Sequence, residues 1–269
     1  MSATIKELSG LQDLQQLAGL FAEVWGRPGQ PSVDSDILKA LSYSGNYVSG
    51  AFQDGRLIGG LVGWLGGVPP GELHMHSHIL GVVAGSDARG LGFELKQHQR
   101  RWCLEREIGV MEWTTDPLVR RNVYFNLAKL GASATRYLVN FYGEMTDGLN
   151  AGEESDRLLI RWRLDSREAE DAAAGRAPAL DTERLIAAGA SPVLFLGGSG
   201  EPVAAPSQDP RVLLCQVPDD IVELRHTDPS MARSWRLALR SALTGALARG
   251  YAITGATRTG WYVLESQPA

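Results

Sequence analysis

The chain has 269 residues and a net charge of −5, with 44% hydrophobic and 21% charged residues. That composition belongs to a globular chain with a sizeable core, built as one large domain or two modest ones. Its mild acidity argues against non-specific binding to nucleic acid or an anionic membrane, which would need a basic face.

Read in order, Ile5 to Leu8 suits a short strand. Leu11, Leu14, Leu17, Leu20, Phe21 and Val24 fall at helical spacing, and the Gly26–Pro31 stretch ends that helix. Asp34 or Ser35 caps a second helix through Leu41. Tyr47–Phe52 and Leu57–Leu65 read as a hairpin turning at Gln53-Asp54-Gly55-Arg56. A glycine- and proline-rich loop leads to a strand from Leu73 carrying His74, His76 and His78, which closes on the turn Ala84-Gly85-Ser86-Asp87. A helix follows from about Arg89 to Glu107, with Leu91, Leu95, Trp102 and Leu104 apolar and Lys96, Gln97, Arg100 and Arg101 between them.

Ile108–Thr114 is a further strand. Leu118–Leu130 reads as a helix stopped by Gly131, Thr135–Phe141 as a strand, 142–156 as a polar loop and Arg157–Leu164 as a strand. Ser166–Ala179 is a charged, alanine-rich helix or linker. Strands at Pro192–Leu196 and Val212–Val217 come next. A helix at Pro229–Arg249 is capped by Asp228, and strands at Tyr251–Thr254 and Trp261–Leu264 finish the chain. Strands with interspersed helices predict a layered α/β or α+β fold.

Cys103 and Cys215 stand in unrelated contexts, and no Cys-x-x-Cys spacing offers a zinc site. With no secretory leader in Met1–Glu7 and no run near the ~20 apolar residues of a spanning helix, a cytoplasmic location is expected.

The stretch from Leu73 to Leu95 carries the strongest chemical signal. Strand, glycine turn and helix present free backbone N–H groups to an anion. Gly90-Leu91-Gly92 completes neither the dinucleotide fingerprint nor a P-loop, so a ligand-free helix start competes evenly with an anion site. The three histidines share one strand face. They could bind metal, supply a general base or sit on a solvated face. Three alternating positions on one strand spread over ~13 Å, too wide for a single ion. Asn122 and Asn126 are four apart on the next helix, where asparagine is locally unfavourable. A ligand contact and a satisfied polar face are both open. Ser155-Asp156-Arg157 is read as ordering the loop before it. Arg233, Arg236 and Arg240 are read as a solvated or salt-bridged stripe.

Taken together, these residues resemble the GNAT superfamily of acyl-CoA-dependent N-acyltransferases over roughly Ile5 to Leu164. The carriers are Leu80-Gly81-Val82-Val83, Asp87-Ala88-Arg89-Gly90-Leu91-Gly92 with the helix after it, and Asn122 to Ala132 ending in Lys129-Leu130-Gly131-Ala132. The resemblance implies a mixed, mostly antiparallel sheet flanked by helices, in a domain of residues 1–165. A linker or helix at 166–180 and a smaller C-terminal α/β region at 181–269 would follow.

It further implies acetyl-CoA or another acyl-CoA as cofactor. The pyrophosphate would lie on Arg89, Gly90, Leu91, Gly92 and Phe93, and the pantetheine arm along Gly81, Val82 and Val83. Asn122 and Asn126 would line the cofactor or thioester end. His78, then His76, would be the base. Asp87 stands where the family has Gln or Arg, with Arg89 able to compensate. Leu127 stands where the family has an acidic tyrosine, and Tyr124 is an imperfect substitute. A longer match, His76-Ser77-His78, Asp116-Pro117-Leu118 and Ser155-Asp156-Arg157-Leu158, is similar to a subgroup with an appended C-terminal region. The acceptor implied is a small-molecule amine, an amino acid being one candidate, and the acyl group acetyl or succinyl. No metal, nucleic acid or membrane enters the scheme. The C-terminal region would close over the site or form a homodimer interface. A non-catalytic acyl-CoA-binding protein is the alternative.

Overall fold

Leu14, Leu17, Leu20 and Phe21 form the buried stripe of helix α1 (Leu11–Val24), which follows strand β1 (Thr4–Glu7). Helix α2 (Ser35–Tyr43) leads to the expected hairpin, β2 (Tyr47–Gln53) and β3 (Arg56–Gly66). Asp54 and Gly55 both take positive φ, 50° and 78°, as a two-residue turn matched to strand twist requires. The computed structural model describes residues 3–25, 32–68, 70–85, 89–143, 154–206 and 210–267.

The described residues form a mixed α/β fold whose strand pairings are mostly antiparallel. The chain divides into two units, one of residues up to Trp113 and one chiefly of residues from Thr114 onward. In the first unit the strands run β1-β2-β3-β4-β5, with β4 at His74–Val82 and β5 at Val110–Thr115. Among the described residues of this unit only the β4–β5 pairing is parallel.

Helix α1 lies on one face of this sheet. A Cβ on Gly60 would stand 2.1 Å from Leu17 Cδ1, so the helix approaches where the strand carries no side chain. Helix α3 (Leu91–Leu104) lies on the opposite face, its Leu91 Cδ2 3.1 Å from where a Gly59 Cβ would be. Leu8, Leu14, Leu17, Phe21, Leu38 and Val62 fill the core under α1 and α2, each contributing about 1.5–3 kcal/mol by burial. Helix α3 departs from its expected pattern: Lys96, Gln97 and Gln99, on its polar positions, are buried.

In the second unit, α4 (Arg120–Tyr124) and a π-turn (Phe125–Lys129) precede β6 (Ser133–Leu138) and β7 (Arg157–Arg163). Then come α5 (Arg167–Ala173), α6 (Thr182–Ala187), β8 (Ser191–Leu196), β9 (Pro202–Ala204) and β10 (Val212–Gln216). Helices α7 (Ile221–Thr227) and α8 (Pro229–Ala248) and strands β11 (Tyr251–Ala256) and β12 (Trp261–Ser266) complete it. Its strands run β7-β6-β11-β12-β10-β8-β9.

The helix expected over Leu118–Leu130 is instead a short α-turn passing into a π-turn. Asp116 accepts from Leu118 N at 2.9 Å and pairs with Arg225 at 2.6 Å, while Tyr262 Oη donates to Pro117 O at 2.7 Å. These bonds hold 116–118 outside the helix. Leu130 N and Ala132 N then bond back to Phe125 O and Asn126 O, a wider turn than an α-helix makes.

Stretch 166–180 lies inside the second unit. Ser166 caps α5 by accepting from Ala169 N at 3.2 Å, and β11 pairs with β6 through Ile253 and Ala134. Asp156, fully buried, accepts from Tyr137 Oη at 2.7 Å, Asn140 N at 3.0 Å and Arg240 Nε at 2.9 Å. Ser155 Oγ accepts from Tyr142 N at 2.8 Å, which ties together the described ends of the expected polar loop, whose residues 144–153 lie outside the described residues. The arginine stripe is split in role: Arg240 is ion-paired, Arg236 is buried and Arg233 is exposed. Among the described residues no helix is long and apolar enough to cross a membrane. Cys103 and Cys215 are buried and unbridged, and burial pushes each thiol up to about 12, which leaves neither reactive near neutral pH.

Candidate functional site

Strands β4 and β5 form a fork. They pair only at Met75–Met111 and His76–Glu112, and beyond His76 no strand pairs with β4 on that side among the described residues. On its other edge β4 stays bonded to β3 throughout. Val83 N donates to Ile58 O at 2.9 Å, so by the two-residue alternation of an antiparallel pair the main-chain groups of Leu80 and Val82 point into the fork. Gly81 and Val83 turn theirs to β3. Of the three residues expected along an extended ligand, Val82 therefore faces the open edge. Leu80 joins it, and the alternation rule would have found it once the β3 pairing was known.

Helix α3 begins beside this open edge. Gly90, its N-cap, has φ 95° and ψ −11°, a left-handed conformation that glycine takes without strain. Phe93 N and Glu94 N both return to Gly90 O, at 2.9 and 3.1 Å. The N–H groups of Leu91 and Gly92 precede the first intrahelical bonds and have no acceptor within the helix. Among the described residues, a Cβ on Gly90 would meet nothing within 4 Å, and one on Gly92 would meet only Leu80 Cδ2, at 3.7 Å. The helix start thus opens onto free space alongside the β4 edge. Buried Leu91 and Leu95 pin it to β3. Phe93 is half-buried and Arg89 exposed, with Glu94 the one acid of the first turn. Asp87 lies outside the described residues.

His74, His76 and His78 line the less buried face of β4. The register of β3 and β4 slips between Val62 and Gly63, leaving His78 as the extra residue of a bulge. Trp64 of β3 lies against both neighbours, its ring 5.0 Å from His76 and 4.5 Å from His78, with the two imidazoles 5.8 Å apart. His74 Nε2 instead approaches Glu112 Oε2 at 3.8 Å. Burial, then the neighbouring His78, His74 and Lys96, lower His76 to about 4. Loss of hydration also lowers His78. Both rings are therefore neutral at physiological pH, and of the pair only His78 is exposed.

Asn122 and Asn126 lie in the second unit. Asn122 is half-buried on α4 and Asn126 is buried in the π-turn, so the single helix face expected for them is interrupted. Leu127 is buried, and Tyr124 stacks under Arg258 at 5.7 Å. The second unit also holds a cavity of about 670 Å³, floored by Leu127, Leu180, Leu185 and Val263.

No family model matches the chain, and no curated protein matches it. Solved structures similar to it include Arabidopsis thaliana Naa50 in complex with a bisubstrate analogue, CoA-Ac-MVNAL. That match has 17% identity and a TM-score of 0.48, over 60% of this chain and 98% of that one. Chaetomium thermophilum Naa20 with a bisubstrate analogue matches at 18% identity and a TM-score of 0.49, over 62% and 90%. An N-acetyltransferase from Staphylococcus aureus Mu50 matches at 13% identity and a TM-score of 0.49, over 61% and 100%. At such identities and scores the case for a function rests on this chain's own residues.

Proposed function

We propose that this chain is an acyl-CoA-dependent N-acyltransferase of the GNAT superfamily. One observation carries the reading: the unpaired edge of β4 lies against the left-handed glycine start of α3, with Gly92 facing Leu80. The residues fit coenzyme A. The open space over Gly90, together with the N–H groups of Leu91 and Gly92, suits a pyrophosphate. The main-chain groups of Leu80 and Val82 suit the amides of an extended arm, which would lie on β4 like an added strand. When bound, the cofactor supplies an acyl group activated as a thioester.

The chain's own residues do the rest. The fork fixes where the acyl carbon is presented, so catalysis owes most to positioning. His78, neutral and exposed beside Trp64, accepts the proton that the attacking amine must lose. His76, lowered to about 4, is the weaker base and packs against Trp64 beside His78. The acceptor is a primary amine of a small molecule, an amino acid among the candidates, and the transferred group acetyl or succinyl. A homodimer belongs to the same proposal, as does a cytoplasmic setting.

A second reading, acyl-CoA binding without turnover, draws on Leu127, a buried apolar residue where the family's tyrosine would supply an acid. Thiol release from acetyl-CoA and succinyl-CoA, measured across small amines, amino acids and short peptides, separates the two. The enzyme reading predicts release with at least one acceptor. His78→Gln should then lower kcat by about 100-fold with the KM for acyl-CoA unchanged, since a positioned base contributes that order. In the wild type kcat/KM should rise with pH through an inflection below the ordinary histidine value, because folding lowers His78. Release with no acceptor, alongside normal binding, supports the binding protein.

A further inference from the structure

Lys96 is a buried ammonium group at the closed end of the fork. It lies on α3, 4% exposed, and its Nζ donates to Ser77 Oγ of β4 at 2.8 Å. On the β5 side the same atom stands 3.7 Å from the Trp113 ring centroid and 3.8 Å from Met111 Sδ. Ser77 and Trp113 each follow the last paired residues, His76 and Glu112, so Lys96 spans the strands where they part. Ser77 Oγ in turn donates to Gln99 Oε1 at 2.8 Å, which turns it toward Lys96 as an acceptor. The ammonium thus faces a neutral hydroxyl, a thioether and an indole ring. Among the described residues no carboxylate comes within ion-pair reach of it. Burying a cation is costly unless an anion accompanies it. A methionine would fill the same space without that cost, so packing does not account for a lysine here.

We propose that Lys96 holds the far carboxylate of the transferred acyl group, which makes the donor the coenzyme A thioester of a short dicarboxylic acid. This rests on the acyltransferase reading, which lays the cofactor's arm along the open β4 edge at Val82 and Leu80. Followed from Val82 through Leu80, that edge leads to Ser77 and the closed end of the fork. Ser77 is three residues from Leu80, about 10 Å along a strand. Past the arm's last amide nitrogen, an acetyl thioester extends about 6 Å and the thioester of a four-carbon diacid about 9 Å. Acetyl therefore stops short of Lys96, whereas the far carboxylate of the diacid comes within reach of Nζ and supplies the missing anion. The pair would form under α3 beside Met111 and Trp113, shielded from water, where a charge-assisted hydrogen bond is strong. An uncharged acyl group of equal length would fill the same path and leave the cation uncompensated.

The test is calorimetric titration of the intact chain, with no acceptor amine present, using acetyl-CoA, butyryl-CoA and succinyl-CoA. Butyryl and succinyl groups have the same carbon count and differ in the carboxylate. Wild type should bind succinyl-CoA at least about 10-fold more tightly than butyryl-CoA, the worth of one hydrogen bond to a charged group. In Lys96→Met, or in Lys96→Gln should the methionine variant not fold, that ratio should fall to near one. Equal wild-type affinity for the two thioesters would overturn the proposal, as would a preference for succinyl-CoA that survives in whichever variant folds. If no thioester binds, the coenzyme A reading fails and this proposal falls with it. If acetyl-CoA binds and the succinyl-to-butyryl ratio is near one in wild type, this proposal alone falls.

Discussion

Gly90→Val should weaken coenzyme A binding by at least about 100-fold while leaving the chain folded. Gly90 sits at φ 95°, where a β-branched residue is strained by about 1–3 kcal/mol. The first turn of α3 relieves that strain by shifting, which moves the N–H groups of Leu91 and Gly92. The added side chain also projects into space that none of the described residues fills within 4 Å. Leu91 and Leu95 still anchor the helix on β3, so the damage stays local. Calorimetric titration should show affinity for coenzyme A reduced by at least about 100-fold, the loss of some 3 kcal/mol of anion contacts. Gly92→Ala is the control. Its Cβ meets only Leu80, at 3.7 Å, and alanine favours the helix by about 0.5–1 kcal/mol. That variant should fold at least as well as wild type and lose far less affinity. Equal binding by Gly90→Val and wild type would remove the α3 start from the site.

Lys96→Met should make the protein more stable at pH 6 and erase part of its pH dependence. In the unfolded chain a lysine keeps its proton to about pH 10, whereas folded Lys96, desolvated, releases it at about 7. Between those values the unfolded chain holds one more proton, so wild-type stability gains from this group as pH rises through the window. Below about 7 both states are charged and the full penalty of the buried ammonium is felt. Methionine fills the space without charge, next to Met111 and Trp113. Urea unfolding should show Lys96→Met more stable by about 1–4 kcal/mol at pH 6, with the difference shrinking toward pH 10. The buried tyrosines and cysteines, whose raised values also act at high pH, are common to both proteins and cancel in that difference. A variant less stable than wild type at pH 6 would mean that the Lys96 contacts outweigh its desolvation.

Much of the first unit is legible in local chemistry. Asp54-Gly55 marks the hairpin because two successive residues there need positive φ. Gly90 marks the start of α3 for the same reason. The histidine alternation marks β4, and Asp228 before Pro229 marks the start of α8, where Asp228 accepts from Met231 N at 3.0 Å. What escapes the sequence depends on partners far along the chain. The helix expected at Leu118–Leu130 starts late because Arg225 and Tyr262, more than a hundred residues on, hold Asp116 and Pro117. The pairing of β11 with β6 is equally non-local. Lys96 reads as solvated because lysine on a helix between apolar positions nearly always is, and no local pattern says that Ser77 and Trp113 close over it. In the site, the glycine start of α3 and the histidine strand could be named from the chain alone. Leu80 and Trp64 could not, because their roles follow from the β3–β4 register and its bulge.

The central claim is that acyl-CoA lies along the β4 edge and on the first turn of α3. Amide hydrogen exchange of the wild-type chain with and without acetyl-CoA tests it most directly. Slowed exchange concentrated in segments 80–83 and 91–93 is the predicted result. Unchanged exchange in both segments, or slowing confined to the cavity floored by Leu127, Leu180, Leu185 and Val263, would contradict it.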